Sequence, residues 1–282
     1  MKIIRSIHQL RKTLAPIRRK KQRIGFVPTM GYFHQGHLSL MKKSKQENDC
    51  TVVSLFVNPT QFSPGEDFKK YPRNKKQDEC LAKNENVDIM FYPSEKTMYP
   101  NRYLTYVDVT NLSETLCGRT RANHFLGVTT IVCKLLNIVE PDVLYLGQKD
   151  AQQAVIIAKM IEDLNFKMKI KVMPIIREKN GLAMSSRNSY LTTNQRQEAC
   201  VLFQSLKRAK DLIKKGERRA SIIKNIMKQV IQKHSDAKID YIECSDAQTL
   251  TTLKNLKGTF FIALAVYFGT TRLIDNIRVN VL

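Results

Sequence analysis

The chain predicts a two-part protein of the α/β class, and three observations carry that prediction. An apolar run, a turn and a helix-like stretch follow one another at 24–48 and again at 142–161, the pattern of parallel strands joined by helical crossovers. A second apolar run, T-V-V-S-L-F-V at 51–57, closes the first of these into a βαβ unit whose crossover should be right-handed. Around residue 175 the alternation stops, and two helix-like stretches are followed by three strand-like ones, the order of a separate α+β unit. The chain therefore reads as a Rossmann-like parallel sheet over 1–175 and a smaller C-terminal α+β domain over 176–282.

Ser6 is placed to cap a helix whose apolar side is Ile7, Leu10, Leu14 and Ile17, and Pro16 should kink or shorten it. Ile24 to Val27 form a buried strand that should end at Pro28, which has no N–H to give a ladder. A helix over 36–48 holds His37 in its first turn. After the strand at 51–57 come a helix at 74–85, a strand at 88–92 and a strand-like Y-L-T-Y-V-D-V at 103–109. From His124 the apolar positions Phe125, Val128, Ile131, Leu135 and Val139 recur at helical period, and Asp142 to Leu146 is the next strand. Beyond a loop at 177–190, helices are expected at 193–215 and 217–234, broken at Gly216, and strands at about 238–243, 259–267 and 272–279.

With 282 residues, 43% of them hydrophobic, the chain can bury a substantial core. No apolar run reaches the length of a membrane span, and M-K-I-I-R-S-I-H meets charge too soon for a signal peptide, so a cytoplasmic protein without a membrane partner is expected. The six cysteines lack metal-ligand spacing and read as reduced structural thiols, with Cys117, in a polar stretch, the candidate for redox sensitivity. Net charge is +22, but residues 176–282 carry 19 Lys and Arg against 9 Asp and Glu, or +10, which leaves +12 for residues 1–175. A charge spread over both halves fits a solvated surface better than a specific nucleic-acid partner.

In open α/β sheets ligands bind at the C-terminal edge of the strands. The stretch I-G-F-V-P-T-M-G-Y-F-H-Q-G-H (24–37) delivers His34 and His37 there, beside the N–H groups and positive dipole end of a helix, which suits an anion. N-P-T-Q-F-S-P-G-E-D-F leaves the neighbouring strand on the same edge, and G-Q-K-D-A-Q-Q (147–153) brings Lys149, Asp150 and Gln153. G-L-A-M-S-S-R-N (181–188) packs two hydroxyls, a guanidinium and an amide into a composition suited to clamping phosphate oxygens. Taken alone, His34 and His37 also admit a metal pair, although no third ligand or H-E-x-x-H accompanies them. Gln61 and Gln153, taken alone, also admit a purely structural role.

H-Q-G-H at 34–37 resembles the H-x-G-H signature of the nucleotidylyltransferase superfamily, shared in looser form with class I aminoacyl-tRNA synthetases, and M-S-S-R resembles the K-M-S-K-S loop that accompanies it. Further segments keep their order along the whole chain: P-T-M-G-Y-F-H-Q-G-H (28–37), F-V-N-P-T-Q-F (56–62) with Y-P-R (71–73), H-F-L-G-V (124–128), L-G-Q-K-D-A-Q-Q (146–153), M-S-S-R-N (184–188) and R-L-I-D-N (272–276). Together they are similar to the pantothenate synthetase family. The resemblance implies a ligase that joins (R)-pantoate to β-alanine through a pantoyl adenylate, releasing pyrophosphate and then AMP. It implies ATP as substrate, Mg²⁺ held through the ATP phosphates with no direct protein ligand, and a homodimer.

Carried over by position, Met30, Gly31, His34, Gly36 and His37 belong to the ATP site, with His37 in the place of the proton donor. Gly147, Gln148, Lys149 and Asp150, then Ile176, then Met184, Ser185, Ser186 and Arg187 complete it. Pro28, Met30, Gln61 and Gln153 hold pantoate, and Gln61 also meets β-alanine. His34, His37, Lys149 and Arg187 form the catalytic set.

These residue types suit that chemistry. A carboxylate nucleophile is already ionised at neutral pH, so the difficulty is bringing two anions together, which cations and hydrogen-bond donors solve. A glutamine amide satisfies a hydroxyl and a carboxylate oxygen without adding charge. Two departures from the family pattern stand out. R-A-N-H-F (121–125) replaces R-P-G-H-F, where Asn tolerates a left-handed backbone, and Gln148 replaces the glutamate of G-E-K-D. Three other readings are open: a nucleotidyl transferase with a released product, a class I synthetase, and a basic RNA-binding protein. A phosphate-bearing acceptor would favour Arg or Lys where Gln61 and Gln153 stand, and the short second domain has no recognisable anticodon-binding region.

Overall fold

A computed structural model describes residues 1–281 apart from Arg102 and Ser235. Its first unit is a six-stranded sheet, every neighbouring pair parallel, built from β1 (Lys2–Ile4), β2 (Ile24–Thr29), β3 (Cys50–Leu55), β4 (Ile89–Phe91), β5 (Val143–Gly147) and β6 (Lys169–Met173) in the order β1-β4-β3-β2-β5-β6. Strand alternation decides which helices cover which face. Phe26, Val52, Ile89 and Leu144 point into one core with α1 (Ile7–Arg19), α5 (His124–Val139) and α6 (Ala151–Asp163). Val27, Val53, Met90 and Tyr145 point into the other with α2 (Gln35–Glu47) and α3 (Lys75–Asn84). A one-turn α4 (Glu95–Met98) follows β4.

The second unit is an antiparallel sheet of β7 (Ala237–Asp246), β8 (Gly258–Phe268) and β9 (Thr271–Val281), with β8 central. A short α7 (Thr193–Glu198) leads into α8 (Val201–Lys214) and α9 (Ala220–Ile231), which bury Leu206, Ile213, Ile223 and Met227 against the sheet. Leu250 and Phe261 of this unit pack with Leu116 and Ala151 of the first.

Several expectations are corrected. Strand β2 does not stop at Val27 but pairs through Pro28 and Thr29 with Ser54 and Leu55. Its ladder to β5 covers only Gly25 and Phe26, so the proline sits where one side of the ladder has already ended. Helix α1 runs through Pro16 to Arg19: the proline costs the one bond its N–H would have made to the Lys12 carbonyl, and the wholly buried Leu10 and Leu14 hold the helix in place. The 103–109 stretch is not a strand: among the described residues it pairs with no other strand, and at Val107 α5 side chains take both backbone groups, the N–H donating to Thr130 Oγ1 at 3.0 Å and Thr129 Oγ1 donating to the carbonyl. The 193–215 helix is two helices, broken at Ala199 and Cys200. Edge strands β1 and β6 have no counterpart in the sequence pattern, since one is three residues long and the other is half-exposed K-I-K-V-M.

Ser6 caps α1, its hydroxyl accepting from Gln9 N–H. Asn123 takes the left-handed backbone that glycine would supply, with φ of 60°, at the start of α5. Among the described residues no helix is long and apolar enough to cross a membrane.

Candidate active site

Strand order reverses between β2 and β5: from β2 the sheet grows through β3 and β4 one way, from β5 through β6 the other. That is the topological switch point of an open α/β sheet, and the loops after β2 and β5 open a crevice there. A narrow cleft of about 210 Å³ lies at this edge and adjoins a wider space of about 1120 Å³ that reaches β9.

The loop after β2 is held from below. Gly31 (φ +86°) and Tyr32 (φ +52°) both take left-handed backbone, and the buried carboxylate of Asp78 on α3 accepts the Tyr32 and Phe33 N–H groups at 2.8 and 2.7 Å. This turn delivers His34 as the N-cap of α2. His34 Nδ1 accepts from Gly36 N–H at 3.1 Å, and His37 Nδ1 accepts from His34 N–H at 3.4 Å, a reciprocal cap made by two imidazoles. The rings lie 4.1 Å apart between centroids. A Cβ on Gly36 would come within 2.9 Å of the His34 ring, so that closure requires glycine.

Both imidazoles are neutral. Burial and then the Lys149 cation lower His34 to about 4, while burial, His34 and Lys149 push His37 well below its ordinary value. With Nδ1 of each ring accepting a backbone N–H, the proton of the neutral ring resides on Nε2, and each histidine offers an oriented N–H donor. They act as donors, then, and the positive charge beside them comes from Lys149.

The loop after β3 places Gln61 on the opposite wall. Gln61 Nε2 donates to Met30 Sδ at 3.1 Å, and its Oε1 accepts from Asn58 Nδ2 at 3.2 Å. Asn58, itself buried, also donates to the Gly127 carbonyl at 3.0 Å and accepts from Tyr99 Oη at 2.7 Å. Gly127 permits this approach, since a Cβ there would stand 2.3 Å from the Thr60 carbonyl oxygen. Behind it, His124 Nδ1 donates to the Gln61 carbonyl at 2.7 Å, its Nε2 accepts from Arg121 at 2.9 Å, and Arg121 grips Glu66 through two bonds of 2.7 Å. Burial and then Arg121 lower His124 to about 4, so this ring too is neutral.

After β5, Lys149 and Asp150 approach one another at 3.8 Å between Nζ and Oδ1, and Gln153 faces the same cleft. Gln152 next to it is structural, bonded to Cys117 N–H and to the Leu112 and Thr115 carbonyls. Asn276, from the R-L-I-D-N stretch on β9, donates to the Gln148 and Lys149 carbonyls, both at 3.0 Å.

In the 184–187 loop, Ser185 caps its own turn by accepting Arg187 N–H, and Ser186 Oγ donates to the Tyr32 carbonyl at 3.2 Å, tying this loop to the one after β2. Arg187 binds Asp67 through Nε and Nη2 at 2.9 and 2.8 Å.

The narrow cleft thus gathers Pro28, Met30, His34, Gly36 and His37 from the β2–α2 junction and Gln61 from the loop after β3. Gly147, Lys149, Asp150 and Gln153 enter from a third segment, and Ile176 and Met184 to Arg187 from a fourth. Gly31 and Gln148 do not line it: Gly31 makes the turn, and Gln148 donates to Asn276 Oδ1 at 3.3 Å. Asn58, Asp78, Glu66 and Asp67 carry roles that the sequence pattern did not assign. The adjacent carboxylates of G-E-D and the asparagine three residues before Gln61 were the available signals.

Comparison with known proteins gives one consistent family. The model of the pantoate-beta-alanine ligase family matches residues 2–278. The pantothenate synthetases of Caldicellulosiruptor saccharolyticus and Acetivibrio thermocellus are 50% and 52% identical over 281 residues, covering all of this chain and all of theirs. The crystal structure of pantothenate synthetase from Thermus thermophilus superposes with a TM-score of 0.95 at 35% identity over the full length of both chains. That of pantoate-beta-alanine ligase from Francisella tularensis, complexed with beta-gamma ATP and beta-alanine, gives 0.80 at 37% identity, covering 98% of this chain and 97% of that one.

Proposed function

The chain belongs to the pantoate-beta-alanine ligase family, and from that membership we propose how its cleft joins pantoate to β-alanine with ATP. The full-length match to pantothenate synthetases at about half identity carries the activity. The ATP and β-alanine of the Francisella relative support the two small-molecule substrates.

In the first step a pantoate carboxylate oxygen bonds to the α-phosphorus of ATP, the α–β phosphoanhydride bond breaks, and pyrophosphate leaves. The Nε2–H donors of His34 and His37 and the Lys149 ammonium hold phosphate oxygens, stabilising charge where it develops without first having to shed a proton. Gln61 and Gln153 orient pantoate from facing walls and leave its carboxylate ionised. In the second step the neutral amine of β-alanine forms the C–N bond at the acyl carbon, AMP departs with the electrons of the broken C–O bond, and the nitrogen releases one proton to solvent to give the neutral amide.

Mg²⁺ carried on the ATP phosphates fits this cleft. Asp150 makes no capping bond at the start of α6 and sets a half-exposed carboxylate beside Lys149, suited to the cation or its waters. When bound, the ion neutralises phosphate charge and eases pyrophosphate departure.

Three further parts of the reading are proposals. The division between domains lies at 175/176, between β6, which ends the first sheet, and the helices of the second unit. A homodimer is supported by Leu104 and Tyr106, 84% and 56% exposed, and sedimentation velocity decides it. A cytoplasmic location is supported by six free cysteines.

The test of function is pantoate-dependent exchange of labelled pyrophosphate into ATP, with Mg²⁺ and without β-alanine. Exchange should require pantoate and fall by about 10²–10³ in His37→Ala. Folded native protein that shows no exchange under these conditions removes the reading.

A further inference from the structure

Residues 62–68, in the loop that follows β3, bring two adjacent carboxylates to the cleft wall. Asp67 occupies one edge of the Arg187 guanidinium, Nε donating to Oδ2 at 2.9 Å and Nη2 to Oδ1 at 2.8 Å. Glu66 does the same to Arg121. A carboxylate bound in this way uses the planar fork that a phosphate would use.

The two grips are unequal. Arg121 also reaches His124 Nε2 at 2.9 Å and the Gln61 carbonyl at 3.4 Å, so Glu66 is tied into the framework behind the pantoate wall. Arg187 has Asp67 and the face of the Tyr71 ring, 5.6 Å from its guanidinium carbon. The tip beside them, Pro64 and Gly65, is exposed, and Gly65 at φ +86° has open space around its Cα. Besides Arg187, Asp67 is held by Tyr190 Oη, which donates to its Oδ2 at 3.3 Å, and its neighbour Phe68 packs on Phe62 at 5.3 Å between ring centroids, so its release breaks one further hydrogen bond and shifts one aromatic contact.

We propose that Asp67 is an internal stand-in for the ATP phosphates: it occupies Arg187 in this conformation, and ATP binding displaces it while Glu66 and Arg121 act as the hinge. The inference rests on the reading of Arg187 as an ATP ligand. Asp67 is a positioning residue in this scheme, since it acts on the substrate only through the arginine.

The native chain contains no tryptophan, so Phe68→Trp places a single indole reporter on the moving stretch. Calorimetric titration with Mg-ATP should show Asp67→Asn binding about three- to tenfold more tightly than the native protein, because a neutral amide competes less well for the guanidinium. ATP should shift the emission of the Phe68→Trp protein, and adding Asp67→Asn should produce part of that shift before any ATP is present. A misfolded loop would not increase affinity, so the gain separates displacement from damage. Unchanged or weaker ATP binding by Asp67→Asn, or emission that ATP does not move, overturns the proposal. Arg187→Ala keeps the two readings apart: unaltered ATP affinity there removes Arg187 from the ATP site, whereas weakened affinity without a gain in Asp67→Asn removes only the displacement.

Discussion

Gln148 and Asn276, 128 residues apart, bind one another in both directions: the Gln148 side-chain amide donates to Asn276 Oδ1, and Asn276 Nδ2 donates to the Gln148 carbonyl. The same Nδ2 donates to the Lys149 carbonyl, so a buried asparagine of the second unit fixes the backbone that carries the site's lysine. Asn276→Ala leaves these carbonyls without their donor and should cost about 1–3 kcal/mol of stability. It should also raise the KM for ATP several-fold. Thermal melting and steady-state kinetics check both, and an unchanged melting temperature would contradict the docking role.

Gln148→Glu restores the family's glutamate but sets an acceptor against Asn276 Oδ1, so the asparagine amide must turn over. Turnover should change by less than about tenfold, because Gln148 faces away from the narrow cleft. A change of orders of magnitude would place residue 148 at the reacting phosphates.

The depressed values of His34 and His37 make both rings neutral from pH 6 upward. In the ligand-free protein an NMR pH titration of the ring protons should therefore show no limb near 6.5 between pH 6 and 8. A limb at that pH would mean that the rings titrate as ordinary exposed histidines.

His124 links acidity to stability. It takes up a proton near 6.5 when unfolded but only near 4 when folded, so the unfolded chain binds more protons across that window. The stability contributed by neutral His124 is complete above about pH 6.5 and is lost as pH falls to about 4, on the order of 3 kcal/mol in all. Urea denaturation at pH 7 and 4.5 should show a smaller fall for His124→Gln than for the native chain; equal falls would refute the assignment.

Gly127→Ala adds a methyl group 2.3 Å from the Thr60 carbonyl oxygen, a contact with backbone that cannot simply rotate away. Although alanine favours a helix, the displaced turn should cost about 1–3 kcal/mol. Gln61 follows that turn, so the KM for pantoate should rise while that for ATP changes little. If pantoate and ATP were affected equally, the turn would not be specific to the pantoate wall.

On the proposed pantoate site, Gln61→Glu keeps the side chain's size but sets a carboxylate beside the substrate's own. The KM for pantoate should rise about tenfold or more. A neutral effect on pantoate would remove Gln61 from its site.

Much of this architecture is legible along the chain because it rests on local physics. The apolar period from His124 to Val139 gives helix α5 its bounds, and the strand–turn–helix junctions at 24–37 and 142–153 identify one sheet edge. Pro16 and Pro28 mislead because each removes a single donor: the packing of Leu10 and Leu14 holds α1 despite that loss, and the β5 side of the ladder has already ended before Pro28. Y-L-T-Y-V-D-V at 103–109 has strand-like residues, yet among the described residues no strand pairs with it, and threonine hydroxyls of α5 take both backbone bonds of Val107.

Residue order alone is enough for the fold class, the family and most of the residues that meet at the cleft, since motif spacing and hydrophobic period depend on near neighbours; that Gly31 and Gln148 stand outside it and Asn58 inside is decided by the fold. The state in which those residues meet belongs to the folded molecule. The neutrality of His34 and His37 follows from burial beside Lys149; the pairing of Arg187 with Asp67 and the bond from Ser186 to the Tyr32 carbonyl join positions 120 and 154 residues apart. Protonation and ion pairing respond to solvent exclusion and to distance through space, and neither is fixed by order along the chain.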